Sequence, residues 1–347
     1  MTERFAAIVQ ARVGSTRLPG KVLRPLAGRP VILHVVERLR RVVGLDEIVI
    51  SVPDTDADRP LIELLARERI HVHRWPGEAS DLLGRYLAAG RAARAEGILM
   101  VDSDCPLLDP DTASRMISAL RAAPDAEYVR IAPPGIEGGV ACLRHSTFVR
   151  IDREGAHGPE REHATLRILE RPECFRIVEI APDPCFADPA DAHRFWLDTP
   201  ADARFLEAVF ARLWRPGEIV DLRDVVRLLR QEPALRSINR HVRQRDPRSP
   251  GRFVALLPGD GERSRSFFRS LAEQLVEQCR IGIRVLHGPS AVREATQIGA
   301  DCVVLPCGDL RAACLPIARY EIGPDVSIRQ ATERIDAMLA GAAKGTP

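Results

Sequence analysis

The sequence predicts an α/β protein: a mixed, mostly parallel sheet flanked by helices, with a smaller α/β unit at its C-terminal end. Three observations carry this. Short β-branched runs alternate with stretches of helical apolar spacing through the first half of the chain, the pattern of right-handed βαβ units. A Gly- and Pro-rich region at 133–192 interrupts the alternation without ending it. After "RHVRQRDPRSPGR" (240–252), a charged stretch with no apolar spacing, the alternation starts again.

The expected strands are Phe5 to Val9, Glu47 to Val52, His71 to Arg74, Ile98 to Val101 and Tyr128 to Ala132. Between them "PVILHVVERLRRVV" has helical spacing with Pro30 at its first turn. "SDLLGRYLAAGRAARA" and "DPDTASRMISALRAA" read as helices capped by Ser80 and Asp109. Within the interruption, "PEREHATLRILER" reads as one helix. "RFWLDTPADARFLEAVFARLW" then reads as a strand, a Thr199-Pro200 helix start and a long amphipathic helix, and a further helix and "PALRSIN" close the unit. Beyond the linker, "RFVALLP", a helix over 262–279, "IGIRVLHG", a helix over 289–298, "ADCVVLP" and a last helix over 326–340 give a β-α-β-α-β pattern. The resulting boundaries are 1–243, a linker at 244–251 and 252–347. "LPGDGER" in the second unit reads as a turn before a helix, with anion binding as the alternative.

At 347 residues the chain can form two cores, and 45% hydrophobic and 28% charged residues are ordinary for a globular protein. A net charge of +2 excludes nucleic acid as a bulk partner, so any positive field is local. No apolar run of 18 residues exists and "MTERFAAIVQARVG" lacks the apolar core of a signal peptide, so a cytoplasmic, non-membrane protein is expected. Eight cysteines include no CxxC pair. The grouping Cys302, Cys307 and Cys314 reads as reduced, buried thiols rather than a zinc site.

One compositional feature bears on chemistry. Of 50 basic residues only Lys21 and Lys344 are lysines. A lysine that survives in a chain otherwise written in arginine marks a place for a compact ammonium on a flexible stem, which a planar guanidinium cannot imitate.

Lys21 lies in "QARVGSTRLPGKVL" (10–23), between the first strand and the first helix. Backbone N–H groups there can face an anion, Gly14 and Gly20 allow close approach, and Arg12, Arg17 and Lys21 place three cations within ten residues. The stretch is neither GxGxxG nor GxxxxGK[ST], so phosphate binding rests on these features, against a merely solvated basic loop. "LMVDSDCPLLDP" follows the fourth strand. Carboxylates at Asp102 and Asp104 repel unless compensated, and magnesium compensates well, with Asp104 the better ligand and Asp109 an N-cap. Asp198 in "FWLDTP" is a second isolated acid. Because Thr199 can supply the helix cap, Asp198 is left for a metal.

"QARVGSTRLPGKVL", "DSDCPLLDP", "EREHAT" and "LDTPAD", in this order, resemble the cytidylyltransferases that activate ulosonic acids, the CMP-Kdo and CMP-sialic acid synthetases. The resemblance is closest to the spore-coat polysaccharide biosynthesis branch of SpsF type and covers roughly residues 4–240. It implies a nucleotide-diphosphosugar-transferase-like (GT-A/Rossmann-like) fold and use of CTP with Mg2+. It further implies CMP transfer to a hydroxyl of a sugar acid, with pyrophosphate released. Carried over by motif, Arg12, Ser15 and Lys21 would hold CTP phosphates, with Ala11, Gly14 and Arg17 in the same loop. Lys21, Arg12 and Asp104 would be the catalytic set and Asp104 and Asp198 the magnesium ligands. "GEASDLLGRY" would place Asp81 and Arg85 near base and ribose. Glu160, Arg161 and His163 of "EREHAT" would line the acceptor pocket together with Glu137.

Two departures stand out. Asp102 occupies a position where relatives carry a small neutral residue, and "GIEGGVACL" replaces Gly-Leu-Asp-Val-Glu, putting Gly139 where a carboxylate is usual. His163 has a structural reading beside the acceptor one, and Asn239, the chain's sole asparagine, reads as a turn or cap residue. Two other functions remain open to the sequence. "DSD" is also the DxD metal motif of glycosyltransferases, and the departures suit a catalytically degenerate nucleotide-binding scaffold. A homodimer and the identity of the acceptor are left open.

Overall fold

The computed structural model describes residues 3–15, 18–132, 139–240 and 242, and beyond them 253–256, 262–279, 282–285, 302–306, 318–322, 327, 329–331 and 333–335. The chain divides into two compact units, Met1–Arg240 and His241–Pro347.

The first unit begins with β1 (Phe5–Gln10), a short hairpin of β2 (Pro25–Leu26) and β3 (Arg29–Pro30), and α1 (Val31–Leu39). Then come β4 (Glu47–Pro53), α2 (Arg59–Arg67), β5 (His71–Trp75), α3 (Leu82–Ala92), β6 (Gly97–Asp102) and α4 (Pro110–Ala122). β7 (Tyr128–Ile131), β8 (Val140–Arg144), α5 (His145–Arg153), α6 (Pro159–Glu162), α7 (Leu166–Glu170) and β9 (Ile177–Ile180) follow, and α8 (Pro200–Leu213) and α9 (Leu222–Gln231) close it. Seven strands form one sheet in the order β5-β4-β1-β6-β8-β7-β9. β5, β4, β1 and β6 run parallel, β8 runs antiparallel to β6 and β7, and β9 is parallel to β7. The predicted mixed, mostly parallel sheet is the one found.

β1 is the axis of the sheet because it is apolar on both faces, as a central parallel strand must be. Phe5, Ala7 and Val9 enter the core formed with α1, α2 and α4, while Ala6 and Ile8 enter the opposite core with α3 and α5. A third core gathers α8 and α9 around Phe205, Leu206, Val225 and Leu229. The registers of β1 with its neighbours end at Gln10 opposite Ser51 on β4 and opposite Asp102 on β6. The loops leaving β1 and β6 therefore emerge side by side at the carboxyl edge of the sheet, where α/β proteins bind ligands.

The five predicted strands agree with β1, β4, β5, β6 and β7 to within two residues, but other expectations are corrected. Asp81, not Ser80, caps α3, since its Oδ1 accepts from Gly84 N at 2.9 Å. The single helix over 159–171 is two, α6 and α7, broken where the His163 backbone turns to φ −121° and its carbonyl accepts from Leu166 N. "RFWLD" is not a strand. It joins no sheet and is tied to a loop instead, Leu197 N donating to Asp104 O at 2.8 Å. The sequence reading missed α2, the β2–β3 hairpin, β8, α5 and β9. Asp109 caps α4 as expected, accepting from Thr112 N at 2.8 Å. Thr199 and Asp202 form a reciprocal capping box at the start of α8.

In the second unit β10 (Phe253–Leu256), α10 (Glu262–Cys279), β11 (Gly282–Val285), β12 (Cys302–Pro306) and β13 (Ala318–Ile322) are described. They form an all-parallel sheet in the order β11-β10-β12-β13, one strand more than the pattern predicted. The helix over 289–298, the linker, Cys307, Cys314 and the "PGDG" turn lie outside the described residues. No helix among the described residues is long and apolar enough to cross a membrane.

Two histidines couple this fold to pH. Burial lowers His34, whose Nε2 sits 2.8 Å from Leu26 O beside the Phe210 and Trp214 rings. Burial likewise lowers His193, packed on Phe195 and Phe205, to about 4. Both are neutral when folded and protonate from 6.5 downward when unfolded, so their contribution to stability is full above pH 6.5 and falls as pH drops toward 4. Thermal unfolding followed between pH 7 and 4 should show this decline, and His193→Phe should lessen its slope.

Candidate active site

The site is assembled at the carboxyl edge of the sheet from three separate segments. The first is the loop after β1. Its shape is set from below: the Ala11 N–H donates to Ser51 O at 3.1 Å, and the Val13 N–H donates to Asp58 Oδ1 at 2.7 Å. Asp58 is itself held by Thr55 Oγ1 at 2.7 Å. Within the loop Ser15 N and Gly20 N both donate to Val13 O, at 2.9 and 3.0 Å. Among the described residues the N–H groups of Arg12 and Gly14 have no acceptor, so they are available to an anion. Arg12 and Gly14 are exposed and Ser15 is half-buried, whereas Ala11 is 1% exposed and serves as the loop's anchor. Arg17 lies outside the described residues.

Arg85 is 1% exposed and lies under this loop. It donates to Ala11 O at 3.1 Å and to Ser51 O, and burial lowers it to about 10. Its guanidinium carries a positive charge beneath the loop and pins two carbonyls, a placement different from the base-side role the sequence suggested.

The other two segments carry the acids. Lys21 opens a 3₁₀ turn (Lys21–Leu23) after Gly20, which adopts φ +69°. Its Nζ bonds Asp104 Oδ2 and lies 2.7 Å from Asp198 Oδ1, contacts that span 83 and 177 positions of sequence. Burial opposes the ammonium, but the two carboxylates outweigh it and Lys21 is raised above its ordinary value. Burial, aided by Asp198, pushes Asp104 up against the pull of Lys21. Both carboxylates thus converge on one small cation, the geometry a divalent ion bound by two acids and a nucleotide's phosphates requires.

Asp198 is fixed from behind. Its Oδ2 bonds Arg194 Nη2, and Arg194 Nε reaches Asp202 Oδ1 at 3.2 Å. Asp202, fully buried, accepts on Oδ2 from the backbone N–H of Asp198 and Thr199 and from Thr199 Oγ1, at 2.9–3.1 Å. Asn239 completes the relay. Its Nδ2 donates to Asp202 Oδ1 at 3.0 Å and to Arg194 O at 3.2 Å.

Asp102 stands apart from this pair. It is exposed, and its Oδ2 accepts from Trp196 Nε1 at 3.0 Å. A DxD metal motif needs Asp102 and Asp104 on one cation, whereas here Asp104 converges with Asp198. Gly139 adopts φ +83°, and a Cβ there would stand 2.7 Å from Cys105 Cβ. A side chain is thus excluded at the position where the resemblance expected a carboxylate.

The acceptor-side candidates form internal ion pairs. Arg161 spans Asp81, through Nε and Nη2 at 2.9 Å each, and Asp152 through Nη1 at 2.7 Å. Arg167 forks onto Glu160 at 2.8 and 2.7 Å. Asp81 therefore caps α3 and anchors α6 to it, and His163 terminates α6 through its backbone. Glu137 lies outside the described residues. No group of three acidic, His or Cys side chains suited to a metal occurs among the described residues, so a cation here needs substrate oxygens to complete its shell.

Sequence reasoning missed Asp58, Arg194 and Asp202. The signal for Asp202 was present as the Thr-x-x-Asp box of "TPAD". For Asn239 it lay in its being the chain's sole asparagine.

A mostly parallel sheet whose two central strands deliver a basic loop and an acidic loop to one edge has the architecture of an α/β nucleotidyltransferase. The chain belongs to the cytidylyltransferase family: a family model of that description matches residues 6–231. Among curated proteins, the spore coat polysaccharide biosynthesis protein SpsF of Bacillus subtilis is 29% identical over 232 residues, covering 65% of this chain and 94% of that protein. A 3-deoxy-manno-octulosonate cytidylyltransferase of Anaeromyxobacter dehalogenans is 38% identical over 119 residues, 34% of this chain and 47% of that protein. A solved cytidylyltransferase structure from Leptospira borgpetersenii superposes with a TM-score of 0.61 at 23% identity, covering 68% of this chain and 97% of that one, and supports the fold.

Asn239→Leu should remove both donors at the base of the relay and leave the Asp202 carboxylate under-satisfied. Denaturant unfolding should register a loss of about 1–3 kcal/mol, the cost of stranding a buried polar group.

Proposed function

We propose that the first unit transfers CMP from CTP to a hydroxyl of a sugar acid of ulosonic type, releasing pyrophosphate, in the making of a cell-surface glycan precursor. The observation that carries this is the convergence of Asp104 and Asp198 on one cation, at the edge where the Arg12–Lys21 loop opens. Family membership and the relatives named above agree with it.

The reaction forms a bond between the acceptor oxygen and the α-phosphorus as the bond to the β-phosphate bridge breaks. Such a transfer asks the protein for position and charge rather than covalent chemistry. Gly14 and the free N–H groups of Arg12 and Gly14 let the loop approach the triphosphate closely, and the Arg12 side chain and Ser15 hydroxyl bind its oxygens. Arg85 supports the same charge from beneath by fixing the Ala11 carbonyl. Asp104 and Asp198 fit a divalent cation, Mg2+ in this reading, which supplies Lewis-acid stabilisation of phosphate charge and eases loss of the acceptor's proton. Arg161 holds α6 against the Asp81 cap, which gives the segment carrying His163 a fixed position.

Pyrophosphate release from CTP in the presence of Mg2+ and a panel of sugar acids is the direct assay. Asp104→Ala should reduce turnover by at least 1000-fold while circular dichroism shows the fold retained. Undiminished activity in that variant would contradict the assignment. GTP in place of CTP should give no product.

A further inference from the structure

Asp198 is gripped by two cations of different character. Arg194 is buried at 8% exposure and locked: its Nε is committed to Asp202, and Asp202 to Asn239 and the α8 cap. Removing it would strand a carboxylate that is fully buried. Lys21 is not locked. It sits at the margin of the loop after Gly20, its side chain 14% exposed, and among the described residues its ammonium bonds only the two carboxylates. A four-carbon stem lets that ammonium swing without disturbing the backbone.

Two converging carboxylates repel unless a cation lies between them. The structure therefore needs a cation there at all times, and Lys21 provides one. We propose that Lys21 is the resident counter-ion of Asp104 and Asp198 in the ligand-free protein. A divalent cation then displaces it only together with the nucleotide, whose triphosphate receives the released ammonium. This rests on the function proposed above for the identity of the nucleotide. A free divalent ion competes with an ammonium tethered in place, at a high effective concentration that solution ions do not match. The incoming triphosphate removes that competition by offering Lys21 another anion, while Arg194 keeps Asp198 in position through the exchange. Metal and nucleotide thus enter as a coupled pair, and the acid pair is never left bare.

The chain's composition makes the test simple, because Lys21 and Lys344 are its only lysines. The full chain labelled at lysine 13Cε and 15Nζ shows two sets of signals. The Lys21 set should stay in place with Mg2+ alone and move when Mg2+ and CTP are added together, while Lys344 serves as the internal control. In parallel, Mn2+ binding without nucleotide, followed by the EPR signal of free Mn2+, should be at least tenfold tighter for Lys21→Met than for the parent chain. A Lys21 signal unmoved under saturating Mg2+ and CTP overturns the proposal, as does equal Mn2+ affinity in Lys21→Met and the parent. If Lys21→Met does not fold, the labelled parent chain decides. The Mn2+ measurement needs no nucleotide. A tenfold gain there in a chain that turns over no CTP upholds the counter-ion and sinks the proposed reaction, and turnover with an unmoved Lys21 does the reverse.

Discussion

The first unit is organised around keeping two carboxylates close together at the end of a parallel sheet. Asp104 and Asp198 arrive from distant parts of the chain, the first on a loop placed by β6 and the second on a segment with no strand of its own. The backbone bond from Leu197 N to Asp104 O joins the two segments directly. Lys21 and Arg194 supply the charge that makes the joint tolerable. Arg38, buried at 2% exposure, reinforces the arrangement from the far side by bonding Pro106 O and Val220 O. The sheet fixes the loops after β1 and β6 by register, and the ion pairs fix the third segment, which has no strand to hold it.

That difference explains what could be read in advance. β1, β4 and β6 are short, mostly buried apolar runs, and β5 and β7 are short β-like runs beside them, so all five are recognisable without knowledge of any partner. The basic loop announced itself through Gly14, Gly20 and Lys21, and Thr199 through the Thr-Pro start of a helix. β8 was hidden behind the Gly- and Pro-rich stretch that precedes it, and "RFWLD" has the pattern of a strand but is held by a loop contact instead of a sheet partner, Leu197 N donating to Asp104 O. The pairing of Asp104 with Asp198 was suggested by resemblance, whereas their contact with Lys21 appears only in the structure, since no local spacing encodes it. The relay through Asp202 to Asn239 is longer still, and only its first step, the capping box, has a sequence signature.

The acceptor side is where expectation and geometry differ most. Glu160 and Arg161 hold Arg167, Asp81 and Asp152, so much of "EREHAT" keeps α6 and α7 in place. The break at His163 falls between Arg161 and Arg167, the two residues that make these forks. Asp81 links the two sides, since the carboxylate that starts α3 also receives Arg161.

The relay to Asn239 also bears on where the functional module ends. The family match stops at residue 231, at the last residue of α9. Asn239 lies eight positions further on, one residue before the first compact unit closes at Arg240. A boundary drawn at the end of the family model alone would cut away the amide that steadies Asp202, and with it the lever that aims Asp198. The turn after α9 belongs to the working unit.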